Sequence, residues 1–457
     1  MKVKPRRPAP QVPEPAPPAP AEMRPSGFVP AALALFVGLT AILVPLWVSR
    51  TTVDAFRLPK QMLFQSLAAL LFALLLIGAL YHGRAFFEPL WRDRKLLLLL
   101  TGIVAWTLVT TLTSTNRPLS ILTVAWVLSC VVYLVATFLV AHRSNGLLLA
   151  GLVLFMALLN GGLAMLQRGG VYNPMTFRRH MPLRNQATAL IGNPNDVGTY
   201  LLFPAIVALA LALTSRKHVR FAASVAFVVA FAGMIASDTL TAVVAFMPAL
   251  GVMLLLRSKK TLVPLLALTV AATLLVAAYA PLRTRVLTIA DHLRAGRWVE
   301  LSSLRLPAFY AAWEMFADHP ITGVGPGCFA YWYLPYKMEL NKTHPRFYLT
   351  GENFGETHND HLQTLAVSGL PGYVLLLSAT GLLASGSLRR RRPELEATGN
   401  RVEAPLADRP ELSRVASLPL AVAFAVVALA QFPLEMAASA QVLLHLAAVC
   451  YAWRRPA

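Results

Sequence analysis

The chain has 457 residues, of which 56% are hydrophobic and only 14% are charged. A soluble domain is on average about 45–50% apolar and about 25% charged, so this composition excludes an ordinary soluble enzyme and a disordered protein. Lysine and arginine total 41 against 21 aspartates and glutamates. In a membrane protein such an excess indicates orientation rather than nucleic-acid binding. The three cysteines form no Cys-x-x-Cys or Cys/His pattern, which predicts neither a disulfide framework nor a structural metal site.

The chain begins with a proline-rich, basic segment, residues 1–27, which is predicted to be a disordered cytoplasmic tail. The first apolar run after it is too long for a cleavable signal peptide. A bilayer core about 30 Å thick needs roughly 20 apolar residues of helix. The sequence therefore predicts an all-α integral membrane protein, with transmembrane helices 1–9 within 28–282 and helices 10–12 within 361–453. The twelve apolar runs lie approximately at 28–49, 61–82, 96–113, 119–141, 146–165, 197–214, 221–236, 240–256, 261–282, 361–386, 415–432 and 436–453.

The distribution of basic residues predicts how these spans are oriented. With the boundaries above, lysine and arginine are more than twice as dense on the side of the N-terminus, which includes the loop 387–414. The positive-inside rule then places both termini in the cytoplasm, in agreement with an even number of spans. Two long segments, 166–196 and 283–360, face outward, which in a bacterium is the periplasm. Long loops tend to carry function, so we expect the chemistry in these two segments, with 283–360 as the catalytic loop.

The segment 166–196 has four arginines and no lysine, among them Arg178, Arg179 and Arg184. Forked guanidinium groups suit the recognition of a diphosphate. The alternative is that arginine is simply the commoner basic residue throughout this chain. The Asn-Pro-Asn195 turn that follows is expected to cap the next span.

The large outer segment contains a predicted helix between Pro307, which suits a first turn, and Pro320, which ends it. Phe309, Trp313 and Phe316 recur at helical spacing and predict one apolar face.

A glycine-rich run, 323–327, follows this helix. It resembles a phosphate-cradling loop only weakly, because its spacing is not that of the nucleotide-binding motifs, and a helix-ending turn is favoured. The next aromatic run includes Trp332 and Tyr336. These rings can stack on sugars or form an interface belt at the membrane surface, and the sequence favours neither.

The large segment closes with a candidate general base. Thr357 is expected to cap the following helix, with Asp360 completing a capping box. That places His358 in the first turn, where the positive helix end keeps an imidazole neutral, as a general base requires. A structural role is the alternative for any histidine at a helix start. His361 lies one turn further on, but no third metal ligand is evident, and neither a metal nor a cofactor is predicted.

Several of these motifs together resemble the O-antigen ligase and polymerase superfamily. They are Arg305 followed by Trp313, the His319-Pro-Ile-Thr-Gly-Val-Gly-Pro-Gly-Cys-Phe329 run, the stretch from Thr-His358-Asn to Gly-Leu-Pro-Gly372, and Gly-Asn-Pro-Asn195 at the start of a span. Twelve spans with one long periplasmic loop before a late span are also similar to the superfamily.

The resemblance implies a metal-independent glycosyltransferase of GT-C type in the bacterial inner membrane. Its donor would be a glycan linked to undecaprenyl diphosphate, and its partners the lipid bilayer and an acceptor. An O-antigen ligase that transfers the glycan to a hydroxyl of lipid A–core is the first expectation. The alternatives are an O-antigen or exopolysaccharide polymerase and a protein O-oligosaccharyltransferase of the same superfamily.

The resemblance also implies roles for particular residues. His358 matches the essential histidine of the family and Arg305 its loop arginine, which makes these two the expected catalytic residues. His361, Trp332, Tyr336 and Asn195 are candidate contacts for the acceptor or the sugars.

One motif departs from the family pattern. A Ser-Arg-Gly or similar triplet is frequent at the outer end of a mid-chain span, and the matching place reads Ala-Ser-Asp238-Thr. Because the arginine is absent, Arg184, Arg179 and Arg178 are the candidates to bind the diphosphate in its place.

A lipid-linked-sugar flippase or another transporter is a less favoured class. Transporters tend to keep ionisable residues at the bilayer midplane, whereas the predicted spans hold few, with His445 the clearest. A transporter also rarely needs so long an outer loop.

Overall fold

A computed structural model describes residues 27–52, 54–143, 146–175, 181–257, 280–345, 347, 353–388 and 409–454. These residues form helices joined by turns, and they contain no β-strand. The helices are α1 (Phe28–Leu46), α2 (Arg57–His82), α3 (Glu88–Trp91), α4 (Arg94–Leu112), α5 (Arg117–Arg143), α6 (Gly146–Arg168), α7 (Leu183–Gln186), α8 (Pro194–Thr214), α9 (Lys217–Ala236), α10 (Leu240–Arg257), α11 (Ala280–Arg294), α12 (Trp298–Leu301), α13 (Leu306–Asp318), α14 (Phe329–Thr343), α15 (Asp360–Ala384), α16 (Arg409–Val427) and α17 (Ala437–Ala452).

The helices confirm the class that the apolar runs predicted. Within the described residues, 10 helices are long and apolar enough to cross a membrane, and α17 is a shorter apolar helix. Their ends lie within a few residues of the predicted spans, so the protein is an all-α, multi-pass membrane protein. The predicted ninth span, the tail 1–27 and the loop 387–414 lie largely outside the described residues. The total of twelve spans and the proposed domain boundaries therefore stay predictions.

Helix α8 lies at the centre of the bundle. It packs against α6, α9, α10, α16 and α17, and its Tyr200 and Phe203 are completely buried. The side chain of Asn193 accepts a hydrogen bond from the backbone N–H of Asn195 at 2.9 Å, and Pro194 occupies the first turn. The predicted cap of this span is therefore confirmed, and it fixes the start of α8 at one end of the bundle.

Helix α15 is broken at Gly369, where φ is 65° and ψ is −171°. This backbone region is essentially restricted to glycine. The break frees the carbonyl groups of Ala366 and Val367 from the helix ladder. The backbone N–H groups of Val324 and Gly325 donate to them, at 2.9 and 3.2 Å. Groups freed inside a membrane protein need such internal partners, so the glycine-rich turn completes the broken helix.

Two further hydrogen bonds close the same junction. The N–H of Leu370 donates to the carbonyl of Pro320 at 2.8 Å, and the indole of Trp106 donates to the carbonyl of Ser368 at 2.9 Å. The glycine-rich segment is thus a turn, as predicted. Its amides at 324 and 325 bond to α15, so they are not the donors of a phosphate cradle.

Helix α13 buries a different face from the predicted one. It has Pro307 in its first turn and ends at Asp318, as expected. Trp313, however, is 52% exposed, so the aromatic residues that the spacing places on one apolar face do not form the buried face of the helix. Small side chains allow α13 to lie close to α15, which the aromatic rings would prevent. The inward face consists of Pro307, Ala308, Ala311, Ala312 and Met315.

Candidate active site

Contacts between distant parts of the chain bring several segments together at the end of the bundle that the sequence predicts to face outward. They include described residues within 47–52, 54–56, 181–193, 295–345, 353–359 and 428–436. We call this end the outer end, and residues 428–436, which join α16 to α17, the 428–436 loop.

The 428–436 loop holds the candidate residues in place. Three consecutive carbonyl groups of this loop, at 428–430, accept hydrogen bonds from the N–H of Asp360 (2.9 Å), the side-chain amide of Asn359 (3.0 Å) and Nη1 of Arg305 (2.7 Å). The position of Arg305 relative to the start of α15 is therefore set by a loop that lies far from both in sequence.

His358 lies between two aromatic rings. Its ring centroid is 4.5 Å from that of Phe432 and 5.6 Å from that of Phe354, and both contacts are edge-on. Its Nδ1 is buried and has no hydrogen-bond partner among the described residues. The backbone of His358 is left-handed, with φ 55°, a conformation that costs free energy in a residue with a side chain.

The predicted capping box is wrong. The cap of α15 is Asn359, whose side chain accepts a hydrogen bond from the N–H of Leu362 at 3.0 Å. The hydroxyl of Thr357 instead donates to the carbonyl of Asn359 at 2.6 Å, which forms a turn ahead of the helix. His358 therefore precedes α15 rather than lying in its first turn.

The imidazole of His358 is nevertheless held neutral. Burial, together with the positive charges of Arg305 and Arg57, lowers the pKa of His358 to about 3. The cause is thus mainly burial, with two nearby guanidinium groups, and not the helix end that the sequence suggested. A neutral imidazole flanked by cations can accept a proton if an anion binds beside it.

Arg57 and Glu356 form an ion pair that the sequence did not indicate. Arg57 is the first residue of α2, and the carboxylate of Asp54 accepts its backbone N–H at 2.9 Å. Its guanidinium pairs with Glu356 and lies 5.8 Å from the centroid of Phe432, the ring that also contacts His358. The sequence feature that could have indicated Arg57 was a charged residue just before a predicted span.

Arg184 forms an ion pair with Asp238, with Nε 3.1 Å from Oδ2. Asp238 stands where the family pattern has its arginine, in a left-handed turn (φ 56°) after α9. The fold thus supplies a guanidinium at this place from the short helix α7. Arg178 and Arg179 lie outside the described residues.

The candidate sugar contacts are spread over the outer end. The indole of Trp332 donates to the hydroxyl of Thr115 at 2.8 Å, and the phenol of Tyr336 donates to Asp318 at 2.7 Å. Both residues lie on α14, whose Tyr333 contacts Phe354 and so connects the helix to the rings around His358.

The other two candidates lie at helix starts. Asn195 is in the first turn of α8, next to Asp196, on which the charges of Arg57 and Arg305 act. His361 lies within α15, where its Nε2 is 3.0 Å from the carbonyl oxygen of Ala425 on α16. In the described part of the chain, no group of three or more His, Cys, Asp or Glu is arranged to hold a metal ion.

An apolar groove of about 330 Å³ runs between α4, α5, α15 and α17. Its outer end carries the polar side chains of Asp360, Gln363 and Glu435, and its other end reaches Leu96 and Tyr451. Burial and the charge of Glu356, opposed by the charge of Arg57, raise the pKa of Glu435 to about 7. The outer end of the apolar groove therefore lies beside the charged residues around His358.

Residues 225–377 match the Wzy_C family model, which describes O-antigen ligases. The resemblance that the motifs indicated is thus confirmed over this stretch. The O-antigen ligase match includes Arg305 and His358, whereas Arg57, Arg184 and Glu435 lie outside it. It implies a glycosyltransferase-like enzyme of O-antigen ligase or polymerase type, working in a membrane with a lipid-linked glycan and an acceptor. No curated protein matches the chain.

Proposed function

We propose that the protein is an O-antigen ligase. It transfers a glycan from undecaprenyl diphosphate to a hydroxyl group of lipid A–core at the periplasmic face of a bacterial inner membrane. The observation that carries the proposal is the neutral His358 with Arg305 and Arg57 acting on it, beside the outer end of an apolar groove. The family match over residues 225–377 supports the reaction class.

In the proposed reaction, His358 takes the proton of the acceptor hydroxyl, and the hydroxyl oxygen attacks the anomeric carbon of the donor glycan. The bond from that carbon to the diphosphate oxygen breaks, and the leaving undecaprenyl diphosphate carries the negative charge. Arg305 stabilises this charge as it develops, in a site where burial strengthens electrostatic interactions. The anionic diphosphate also offsets the guanidinium charges that lower the pKa of His358, so the base strengthens when the donor is bound.

The apolar groove gives the proposal a place for the lipid part of the donor. Its walls are mostly aliphatic and aromatic, as an isoprenoid chain requires, and its outer end lies beside the charged cluster. Arg184 is a proposed second contact for the diphosphate. Trp332, Tyr336, Asn195 and His361 are proposed contacts for the glycan or acceptor.

The direct test is transfer by the purified protein in proteoliposomes, with an undecaprenyl-diphosphate-linked glycan as donor and lipid A–core as acceptor. The wild type is expected to form glycan-bearing lipid A–core, and His358→Ala to lose this activity. His319→Ala, an exposed histidine of the same outer segment, is the matched control and should retain it. Equal rates for His358→Ala and the wild type would refute the assignment of the base.

A deletion strain separates the ligase from its alternatives. A ligase predicts free lipid A–core together with intact polymer that accumulates on the carrier lipid. Single repeat units attached to lipid A–core would instead indicate a polymerase. Movement of a labelled lipid-linked glycan across the bilayer without any transfer would indicate a transporter.

A further inference from the structure

We propose that Arg57 is a further ligand for the diphosphate of the donor, besides Arg305 and Arg184, and that Glu356 is the positioning residue that orients its guanidinium. This inference rests on the proposed function for the identity of the ligand, a polyprenyl diphosphate. Arg57 is the first residue of the second span, outside the stretch that matches the family model.

The backbone of Arg57 is firmly placed. The carboxylate of Asp54 accepts the backbone N–H groups of both Phe56 and Arg57, at 2.8 and 2.9 Å, which fixes the first turn of α2. Gly192 packs directly on Phe56, because a β-carbon at this glycine would lie 2.5 Å from the β-carbon of the phenylalanine. The start of α2 is therefore locked against the turn that precedes α8.

The side chain of Arg57 is directed at the candidate active site. Its guanidinium lies 5.8 Å from the ring centroid of Phe432, and the same ring lies 4.5 Å from that of His358. One aromatic side chain thus separates Arg57 from the candidate base. Arg305 acts on the same imidazole, so two guanidinium groups from opposite parts of the chain converge on one site.

A leaving diphosphate needs more than one guanidinium group to stabilise its charge. It carries two phosphoryl groups, and Nη1 of Arg305 already donates to the carbonyl of Ala430 at 2.7 Å. A guanidinium has five N–H donors in a planar fork, so Arg57 can pair with Glu356 along one edge and bind a phosphoryl oxygen along another. Its side chain is still 32% exposed, which leaves room for a ligand.

A purely structural role is the competing explanation, because Arg57 lies among acids. It pairs with Glu356, and the charges of Glu435 and Asp196 also act on it. If Arg57 only neutralised Glu356, removing both charges together would leave the site intact. If Arg57 binds the diphosphate, removing Glu356 as well cannot restore the lost contact.

The experiment measures the binding of farnesyl diphosphate, a soluble polyprenyl diphosphate, to the purified full-length protein. We expect Arg57→Gln to raise its Kd about 10- to 100-fold, as for the loss of a hydrogen bond to a charged group. Arg57→Lys should give a smaller increase, because a lysine keeps the charge without the fork. Arg50→Gln, in the connection just before α2 and exposed, is the matched control and should bind like the wild type.

The double variant Arg57→Gln/Glu356→Gln should stay as weak as Arg57→Gln. Wild-type affinity in the double variant, or in Arg57→Gln itself, overturns the proposal, as does a wild type that does not bind the probe. If Arg57→Gln fails to fold, the Kd of Arg57→Lys is the test, and a wild-type Kd for Arg57→Lys overturns the proposal. Glycan transfer measured in parallel separates the two proposals: a wild type that binds the probe through Arg57 without transferring glycan refutes the ligase function alone.

Discussion

The break in α15 at Gly369 provides the sharpest test of how the fold positions the site. Gly369 has φ 65°, and a β-carbon there would collide with the backbone carbonyl of Ile321 and lie 2.9 Å from the carbonyl oxygen of Pro320. Both obstacles are backbone atoms, so no side-chain rotation can relieve the collision. We expect Gly369→Ala to displace the glycine-rich turn from α15.

The magnitude follows from the contacts at the junction. A left-handed backbone in a residue with a side chain costs on the order of 1–3 kcal/mol. Displacing the turn also breaks the hydrogen bonds from Val324 and Gly325 to the carbonyls of Ala366 and Val367, at about 1 kcal/mol each. The free energy of unfolding should therefore fall by about 3–5 kcal/mol. His358 precedes the displaced half-helix, so glycan transfer should fall as well.

The assay is unfolding of the purified protein in mixed micelles by titration with sodium dodecyl sulfate, followed by tryptophan fluorescence. Gly381→Ala is the matched control on the same helix, because a β-carbon there meets no atom within 4 Å. Alanine is the better helix former by about 0.5–1 kcal/mol, so this control should unfold no more easily than the wild type. Equal unfolding curves for Gly369→Ala and Gly381→Ala would refute the reasoning.

The further predictions concern charge. The pKa of His358, about 3, leaves its imidazole neutral from about pH 5 to 8, so the pH profile of kcat/KM should show no histidine inflection there. Glu435, with a pKa of about 7, gains a negative charge as the pH rises through that value and then repels the anionic donor, so kcat/KM should fall. Glu435→Gln should remove this fall in kcat/KM at high pH. An unchanged fall would contradict the assignment of the titrating group to Glu435. The ion pair of Arg184 and Asp238 is partly exposed, so a double-mutant cycle should find a coupling of only about 0.2–1 kcal/mol in stability. If Arg184 contacts the donor, Arg184→Gln should raise the donor KM while Asp238→Asn leaves it nearly unchanged; equal effects of the two substitutions would argue for a structural pair alone.

The spans could be predicted because a membrane helix is a local property of the sequence. About 20 apolar residues in a row are enough, and the cap of α8 at Asn193 was visible in the Asn-Pro-Asn turn. The cap of α15 was not predictable in the same way. Thr357 and Asn359 are both good capping residues, and the hydrogen bonds from Asn359 and Asp360 to the 428–436 loop accompany the cap that forms.

The residues of the candidate site also fall into two groups, those that the sequence indicated and those that it did not. His358 and Arg305 were found from motifs within a single loop, and the family match covers both. Arg57, Glu356 and Phe432 were missed, because they lie on three segments far apart in the sequence and no periodicity connects them.

The sequence by itself determined that this is a multi-pass helical membrane protein, and the distribution of its basic residues predicts an orientation and a smaller set of arginines on the outer side. Only the tertiary structure decided which of those charges meet. Backbone carbonyls of the 428–436 loop hold Arg305 and the start of α15, and the ion pair with Glu356 holds Arg57 beside the same ring as His358. The hydropathy of a span depends on residues that follow one another in the sequence, so the spans can be predicted from it. Electrostatic interactions depend on distances in space that only the packed fold defines.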